Sequence, residues 1–184
     1  VAADREDFRR KFRRLVNDGV ITEGNLGSAS IEELVVGAHF NVNYFRGIVR
    51  DKVEILSIDR RIQTNLDGLL RLTADVQLEI KDCFDVETIE IGHELATIRE
   101  SELDKLFEIG DRFVKVTEEV EPPGIIGPFT LQLTVTSDLD VVVFDVAFRI
   151  GGGTNIYMGI GSQYGKLYFG RPISFGRRIA MEVR

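Results

Sequence analysis

Residues 129–150 read FTLQLTVTSDLDVVVFDVAFRI, and the pairing of this stretch with itself decides the fold. Two runs rich in β-branched and aromatic residues flank Ser137-Asp138-Leu139-Asp140, the pattern of two strands joined by a tight turn. A turn centred on Asp138-Leu139 sets Ser137 opposite Asp140. Carried outward, that register pairs Leu133 with Phe144, Leu131 with Val146 and Phe129 with Phe148, an apolar face expected to enter the core. The other face then holds Gln132 directly opposite Asp145, with Arg149 two pleats beyond. The turn lacks the usual Asn-Gly signature, and a bulge there would put Gln132 and Asp145 on opposite faces.

Directly opposed residues have Cβ atoms only ~4.5–5.5 Å apart. Two oxygen-bearing side chains at that spacing can share a hard cation, with water and phosphate completing the shell of a Mg²⁺ ion. Aspartate is disfavoured inside strands, and this strand is otherwise Val- and Phe-rich. Two readings stay open on pattern alone. Asp145 and Arg149 form a surface ion pair of little energetic weight, or Gln132 and Asp145 hold a cation while Arg149 reaches a phosphate.

Outward from the hairpin, residues 100–120 read as a helix with Leu103, Leu106, Phe107, Gly110, Phe113, Val114 and Thr117 in one stripe and Ser101 as N-cap. Pro122-Pro123-Gly124 ends it. Residues 4–18 form a second amphipathic helix, closed by Gly19. Residues 31–36 and 38–46 are expected strands, and 53–58 pairs antiparallel with the latter across Arg50-Asp51. Asn65-Leu66-Asp67-Gly68 is a loop signal, with strand-like stretches following to residue 98. A glycine-rich stretch covers 151–170 and fits neither phosphate-loop pattern. A last helix starts near Ser174 and runs off the C-terminus. Strands, helix, strands and helix in that order predict an α+β fold with antiparallel pairing.

The 184 residues are 43% hydrophobic and carry a net charge of −7. One core is expected, and the acidic balance argues against a general nucleic-acid binder. No apolar run reaches the ~18–20 residues of a membrane helix. Cys83 is the sole cysteine, which leaves no disulfide framework and fits a cytoplasmic location. His39 and His93 stand apart from any nucleophile motif, so neither receives a role. Glu32-Glu33 before Leu34-Val35-Val36 is either edge solvation or a ribose-binding carboxylate followed by backbone that pairs with adenine.

In order, several short segments resemble ATP-grasp ligases, and within them the archaeal formate-dependent 5-formaminoimidazole-4-carboxamide ribonucleotide synthetases (the PurP family). They are Glu32-Glu33-Leu34-Val35-Val36-Gly37, Ile58-Asp59-Arg60-Arg61, Thr64-Asn65-Leu66-Asp67-Gly68, Ile98-Arg99-Glu100-Ser101, Pro122 to Phe129, Arg149-Ile150 with Gly153-Thr154-Asn155, and Gly176-Arg177-Arg178-Ile179-Ala180. The resemblance implies the C-terminal lobe of an ATP-grasp domain over residues 1–184, an antiparallel sheet with packed helices, with the N-terminal half and its upstream substrate domain lying outside the chain. Val1 and Arg184 accordingly read as cuts.

The activity implied is that of a carbon–nitrogen ligase of purine (IMP) biosynthesis. ATP and Mg²⁺, or Mn²⁺, activate formate as formyl phosphate, which the aminoimidazole-carboxamide ribonucleotide attacks. The resemblance makes Gln132 and Asp145 the metal ligands, Glu33 and Val35 the adenosine contacts, Asn65 a ribonucleotide contact, and Arg149 (catalytic) and Asn155 phosphate-side groups. It departs from the family pattern at the metal strand, where Asp145 and neutral Gln132 stand at positions usually Glu-like. A homo-oligomer independent of membrane and nucleic acid is expected, with the 184 residues inactive alone. The alternative is a non-catalytic relative serving as a nucleotide-binding or assembly module.

Overall fold

The computed structural model describes residues 1–81, 83, 89–157 and 160–183, leaving aside the side chain of Asn155. The chain divides into two compact units, residues 1–36 and 37–184. In the first, helix α1 (Arg5–Asn17) starts where the Asp4 side chain accepts from the Glu6 and Asp7 N–H groups, satisfying donors that lack helical partners. Gly19 follows it at φ +70°. The Lys11 hydrogen bond, then that of the Ala3 N–H, hold the Asp7 carboxyl down at about 2. A 3₁₀ turn occupies Glu23–Ser28. Residues 31–36 form no strand, contrary to expectation: Ile31, Leu34 and Val36 are exposed and no ladder partner lies alongside. Their β-prone composition has no packed surface to fit.

The second unit runs β1 (Ala38–Gly47), β2 (Lys52–Gln63), α2 (Leu66–Leu69), α3 (Ala74–Ile80), β3 (Glu90–Leu95), α4 (Leu103–Val120), β4 (Gly127–Val135), β5 (Val141–Ala147), a 3₁₀ turn (Gly152–Tyr157), α5 (Gly165–Phe169) and α6 (Phe175–Ala180). The five strands form one antiparallel sheet in the order β3-β2-β1-β4-β5, so the α+β class with packed helices is observed. Three expectations change. Residues 66–69 close a helical turn rather than an open loop, with Asp67 accepting from the Gln63 N–H and pairing with Arg60. The stretch after it holds α3 before any strand. The last helix ends at Ala180, short of the C-terminus.

Alternation along each strand separates two faces. Val42, Tyr44, Ile55, Ile58, Phe129, Leu131 and Leu133 point to one side, where Leu106 and Val114 of α4 join them in the main core. Gly110 lets α4 approach: a Cβ there would sit 2.5 Å from the Tyr44 ring, whose hydroxyl donates to the Leu106 carbonyl at 2.8 Å. A 3₁₀ turn, Glu100–Glu102, leads into α4, so Ser101 does not cap it. Its hydroxyl bonds to Glu102 instead. Pro122-Pro123 then stops the chain from continuing as helix, and Gly124 turns it at φ +76°.

The opposite face is divided. One end is apolar, with Phe45 and Leu56 packed under Phe175 of α6. Leu56 is the extra residue of a register shift between β1 and β2, so that Ile55 reaches the main core while Leu56 does not. Beside this cluster Arg178 is buried, its Nε donating to Glu54 at 2.7 Å and its Nη1 to Glu182 at 2.6 Å, with the guanidinium 4.1 Å from the Phe45 ring centre. The other end of the same face is polar and carries the candidate site.

Candidate functional site: the polar end of the sheet

Gln132 does pair with Asp145, and Leu131 with Val146, as the hairpin predicts. The route to that register differs. Thr136, not Ser137, faces Asp140, closing a three-residue loop in which Leu139 takes φ +64°. This shifts the ladder by one, so Leu133 pairs with Val143 and Val135 with Val141. A bulge that leaves Phe144 unpaired then shifts it back before Gln132. The two shifts cancel. Phe144, expected in the core, is instead 42% exposed beside His39. Phe148 lies near Phe113 yet is 68% exposed, so the apolar face of β5 is less buried than its composition suggests.

Adjacent strands bring together polar residues at alternate positions: Asn41 and Asn43 of β1, Asp59 of β2, Thr130 and Gln132 of β4. All are buried, and Asp59 is fully so. A carboxylate in that position requires donors. It accepts from Asn41 Nδ2 at 2.8 Å and Asn43 Nδ2 at 2.7 Å, and His93 Nδ1 lies 2.7 Å away. The other ring nitrogen of His93 faces Glu90 at 2.6 Å, and the Thr130 hydroxyl completes the network by donating to Asn43 Oδ1. Burial, and after it the Asp59 charge, push the Tyr157 phenol up from its ordinary value. That phenol donates to the Ile58 carbonyl at 2.7 Å.

The run Gly151-Gly152-Gly153 lies over this network, and its composition follows from the distances. A Cβ on Gly151 would meet Asn43 Oδ1 at 2.6 Å, one on Gly152 His93 Nε2 at 2.8 Å, and one on Gly153 the Asp59 carboxylate at 2.0 Å. No side chain fits. Between loop and sheet a cavity of about 140 Å³ remains, with Arg149, Gln132 and His93 in its wall. A second cavity of about 150 Å³ adjoins it and shares Asn41, Arg61 and Gln132.

Gln132 donates through Nε2 to Asp145 Oδ2 at 2.5 Å. Arg149 is exposed and bonds back to the Ile150 carbonyl, so the Asp145–Arg149 ion pair of the surface reading is not formed. Asn65 is exposed at the end of β2, near Gln63, which lines the second cavity. Glu33 and Val35 belong to the first unit, Glu33 exposed and Val35 half-buried. The side chain of Asn155 lies outside the described residues. Sequence reasoning missed Asn41, Asn43, Asp59 and His93. Among the described residues, no group of three or more His, Cys, Asp or Glu side chains could hold a metal ion. No helix among them is long and apolar enough to cross a membrane.

Fold and site together define an α+β domain, a helix-backed antiparallel sheet with a polar cavity on its other face. Residues 7–184 match the family model described as "Domain of unknown function (DUF1297)", and the chain belongs to that family. It is 47% identical over 184 residues to the 5-formaminoimidazole-4-carboxamide-1-(beta)-D-ribofuranosyl 5'-monophosphate synthetase of Methanopyrus kandleri, a match covering 100% of this chain and 50% of that protein. The like-named protein of Methanocaldococcus jannaschii is 41% identical over the same coverage. The crystal structure of an IMP biosynthesis protein PurP from Thermococcus kodakaraensis superposes with a TM-score of 0.66 at 30% identity, over 83% of this chain and 47% of that one. The resemblance seen in the sequence is thus borne out. The chain spans about half the length of the curated relatives it matches.

Proposed function

We propose that these residues form part of an ATP- and Mg²⁺-dependent ligase of IMP biosynthesis, an ATP-grasp enzyme of the cytoplasm that assembles as a homo-oligomer. The reaction joins formate to the amine of aminoimidazole-carboxamide ribonucleotide. Formate oxygen attacks the terminal phosphorus of ATP and ADP leaves. The amine nitrogen then attacks the formyl carbon, phosphate departs, and the nitrogen gives up a proton. The observation that carries the reading is the pairing of Gln132 with Asp145 at the edge of a polar cavity that also holds Arg149, within a chain 47% identical to a protein named for this product.

The donor set fits a hard cation. With Gln132 Nε2 committed to Asp145, the atoms left are Gln132 Oε1 and Asp145 Oδ1, both oxygens, one on a charged group. A Mg²⁺ ion usually takes one or two carboxylates and completes its shell with water and phosphate oxygens. When bound, it neutralises charge developing on the transferred phosphoryl group. Arg149, held at the cavity wall, meets the same charge from the protein side. In this reading Glu33 and Val35 contact adenosine, Asn65 the ribonucleotide and Asn155 a phosphate.

Calorimetric titration of the polypeptide that carries these residues, with ATP in the presence and absence of Mg²⁺, tests the reading. Saturable binding that requires Mg²⁺ and weakens at least about tenfold in Asp145→Ala is the expected result. Binding that ignores both the metal and the substitution sinks the cation site, and absence of formate-dependent turnover of the ribonucleotide sinks the reaction.

A further inference from the structure

The bulge that restores the hairpin register also turns Phe144 onto the face that carries Gln132 and Asp145. A bulge commonly re-aims a side chain beside a site, and here the re-aimed side chain is a large aromatic one left 42% exposed. Its ring centre lies 5.5 Å from that of His39, at 48° between planes. With Phe40 these rings bound the second cavity, of about 150 Å³. Polar atoms reach the same space. Asn41 has its Nδ2 committed to the Asp59 carboxylate, so Oδ1 is the atom left for a ligand, an acceptor that favours an amino group or ring N–H. Through Asn41, Arg61 and Gln132 this chamber opens beside the charged cavity under Gly151–Gly153. An aromatic wall with one fixed acceptor suits a flat ring. The adjoining cavity carries Asp59 and Glu90 as well as Arg61 and Arg149. Arg61 is paired with Glu90, which leaves Arg149 as the group that meets the anionic remainder of the same molecule.

We infer that the chamber bounded by His39, Phe40 and Phe144 seats the planar nitrogen heterocycle of a nucleotide, packed on the Phe144 ring and met at its edge by Asn41 Oδ1. The inference rests on the reading of the chain as part of a nucleotide-using ligase. Two rings of that chemistry are available in the proposed reaction, the adenine of ATP and the aminoimidazole of the ribonucleotide, and each carries an amino group.

Phe144 is part of neither apolar core cluster, so its replacement leaves the core intact. The polypeptide and its Phe144→Ala and Phe144→Trp variants are titrated with ATP, with aminoimidazole-carboxamide ribonucleotide and with ribose 5-phosphate, which has no ring base. Base–aromatic stacking predicts that Phe144→Ala weakens one ring-bearing ligand about tenfold or more. Phe144→Trp restores it, and ribose 5-phosphate is bound equally by all three proteins. Weakening confined to ATP assigns the seat to adenine, and weakening confined to the ribonucleotide assigns it to the aminoimidazole. Either supports the inference. Equal binding of both by wild type and Phe144→Ala overturns it while the proposed reaction stands. A wild-type protein that binds neither nucleotide overturns the reaction, and the seat with it.

Discussion

Arg178→Met is expected to destabilise the protein by about 3–5 kcal/mol, the loss typical when one partner of a buried ion pair is removed. Arg178 and Glu54 are both 1% exposed, joined by hydrogen bonds of 2.7 Å and 3.3 Å. Methionine fills much of the arginine volume but leaves Glu54 without its counter-ion. Arg50, the only other cation that the described residues place near Glu54, is 4.0 Å away and half exposed, too solvated to compensate. The α6 cluster would also lose the guanidinium lying on Phe45. Urea unfolding measures the effect as a lower midpoint at constant slope. The Glu54→Met, Arg178→Met double variant should recover most of it, because neither charge of the fully buried pair remains and Glu182 keeps its bonds from the Ile48 and Val49 N–H groups. A single-variant loss below about 1 kcal/mol would show that Glu54 reaches water when Arg178 is absent.

The same cluster gives a pH dependence. Burial raises the Glu182 carboxyl, but hydrogen bonds from the Val49 N–H, the Arg178 guanidinium and the Ile48 N–H outweigh it, and the net shift is downward. A carboxyl whose folded value is depressed contributes stability above its unfolded value, near ~4.3, and loses it as pH falls through the folded one. Acid titration of stability should therefore be shallower below about pH 4 in Glu182→Gln than in wild type. Identical slopes would mean that Glu182 contributes nothing to the acid limb.

The sequence made part of the site legible, and for a reason that was partly fortuitous. Period-two alternation places Gln132 and Asp145 on one face, and the assumed two-residue turn paired them. The actual loop has three residues and the strand a bulge, one residue each, so the errors cancel. Nothing in Val141-Val142-Val143-Phe144 could have revealed the bulge, because an unbroken apolar run has no phase to slip. Asp59 was hidden differently. Asn41-Val42-Asn43, Ser57-Ile58-Asp59 and Thr130-Leu131-Gln132 each alternate polar with apolar, which in a single strand reads as one solvated face. Only the order β2-β1-β4 sets the three polar rows side by side, and only the glycine loop covers them. Both facts belong to tertiary structure. Helix α4 was legible because its long stripe and its Pro-Pro-Gly stop are local signals. Residues 31–36 have the local signal of a strand and no partner to pair with.

Asp59→Asn and Gly153→Ala test that hidden network from its two sides. The Asp59 carboxylate faces two amide donors and the His93 ring. Asparagine has the same shape but offers one acceptor oxygen and turns an NH₂ toward those donors. A buried hydrogen bond to a charged group is lost and a donor is left unpaired, so a loss of about 3 kcal/mol in unfolding free energy is expected. Gly153→Ala acts differently. Its Cβ would fall 2.0 Å from the Asp59 carboxyl carbon, a separation no packing tolerates, so the 151–153 backbone must lift from the sheet. The loop is part of neither apolar core cluster, so lifting it should change global stability by less than about 1 kcal/mol. Local order should not survive so well. Amide exchange at Thr154, whose N–H bonds to the Gly151 carbonyl, is expected to quicken by about tenfold or more. Turnover in the proposed ligase reaction should fall by about a hundredfold, since a displacement of about 1 Å at a cavity wall can cost that much. Gly153 and Asp59 share one contact, so Gly153→Ala and a substitution that removes the Asp59 side chain should not add. Once Asp59→Ala has emptied the space beneath the loop, Gly153→Ala should slow turnover little further. Full additivity in that cycle would mean that the loop is seated by something other than Asp59.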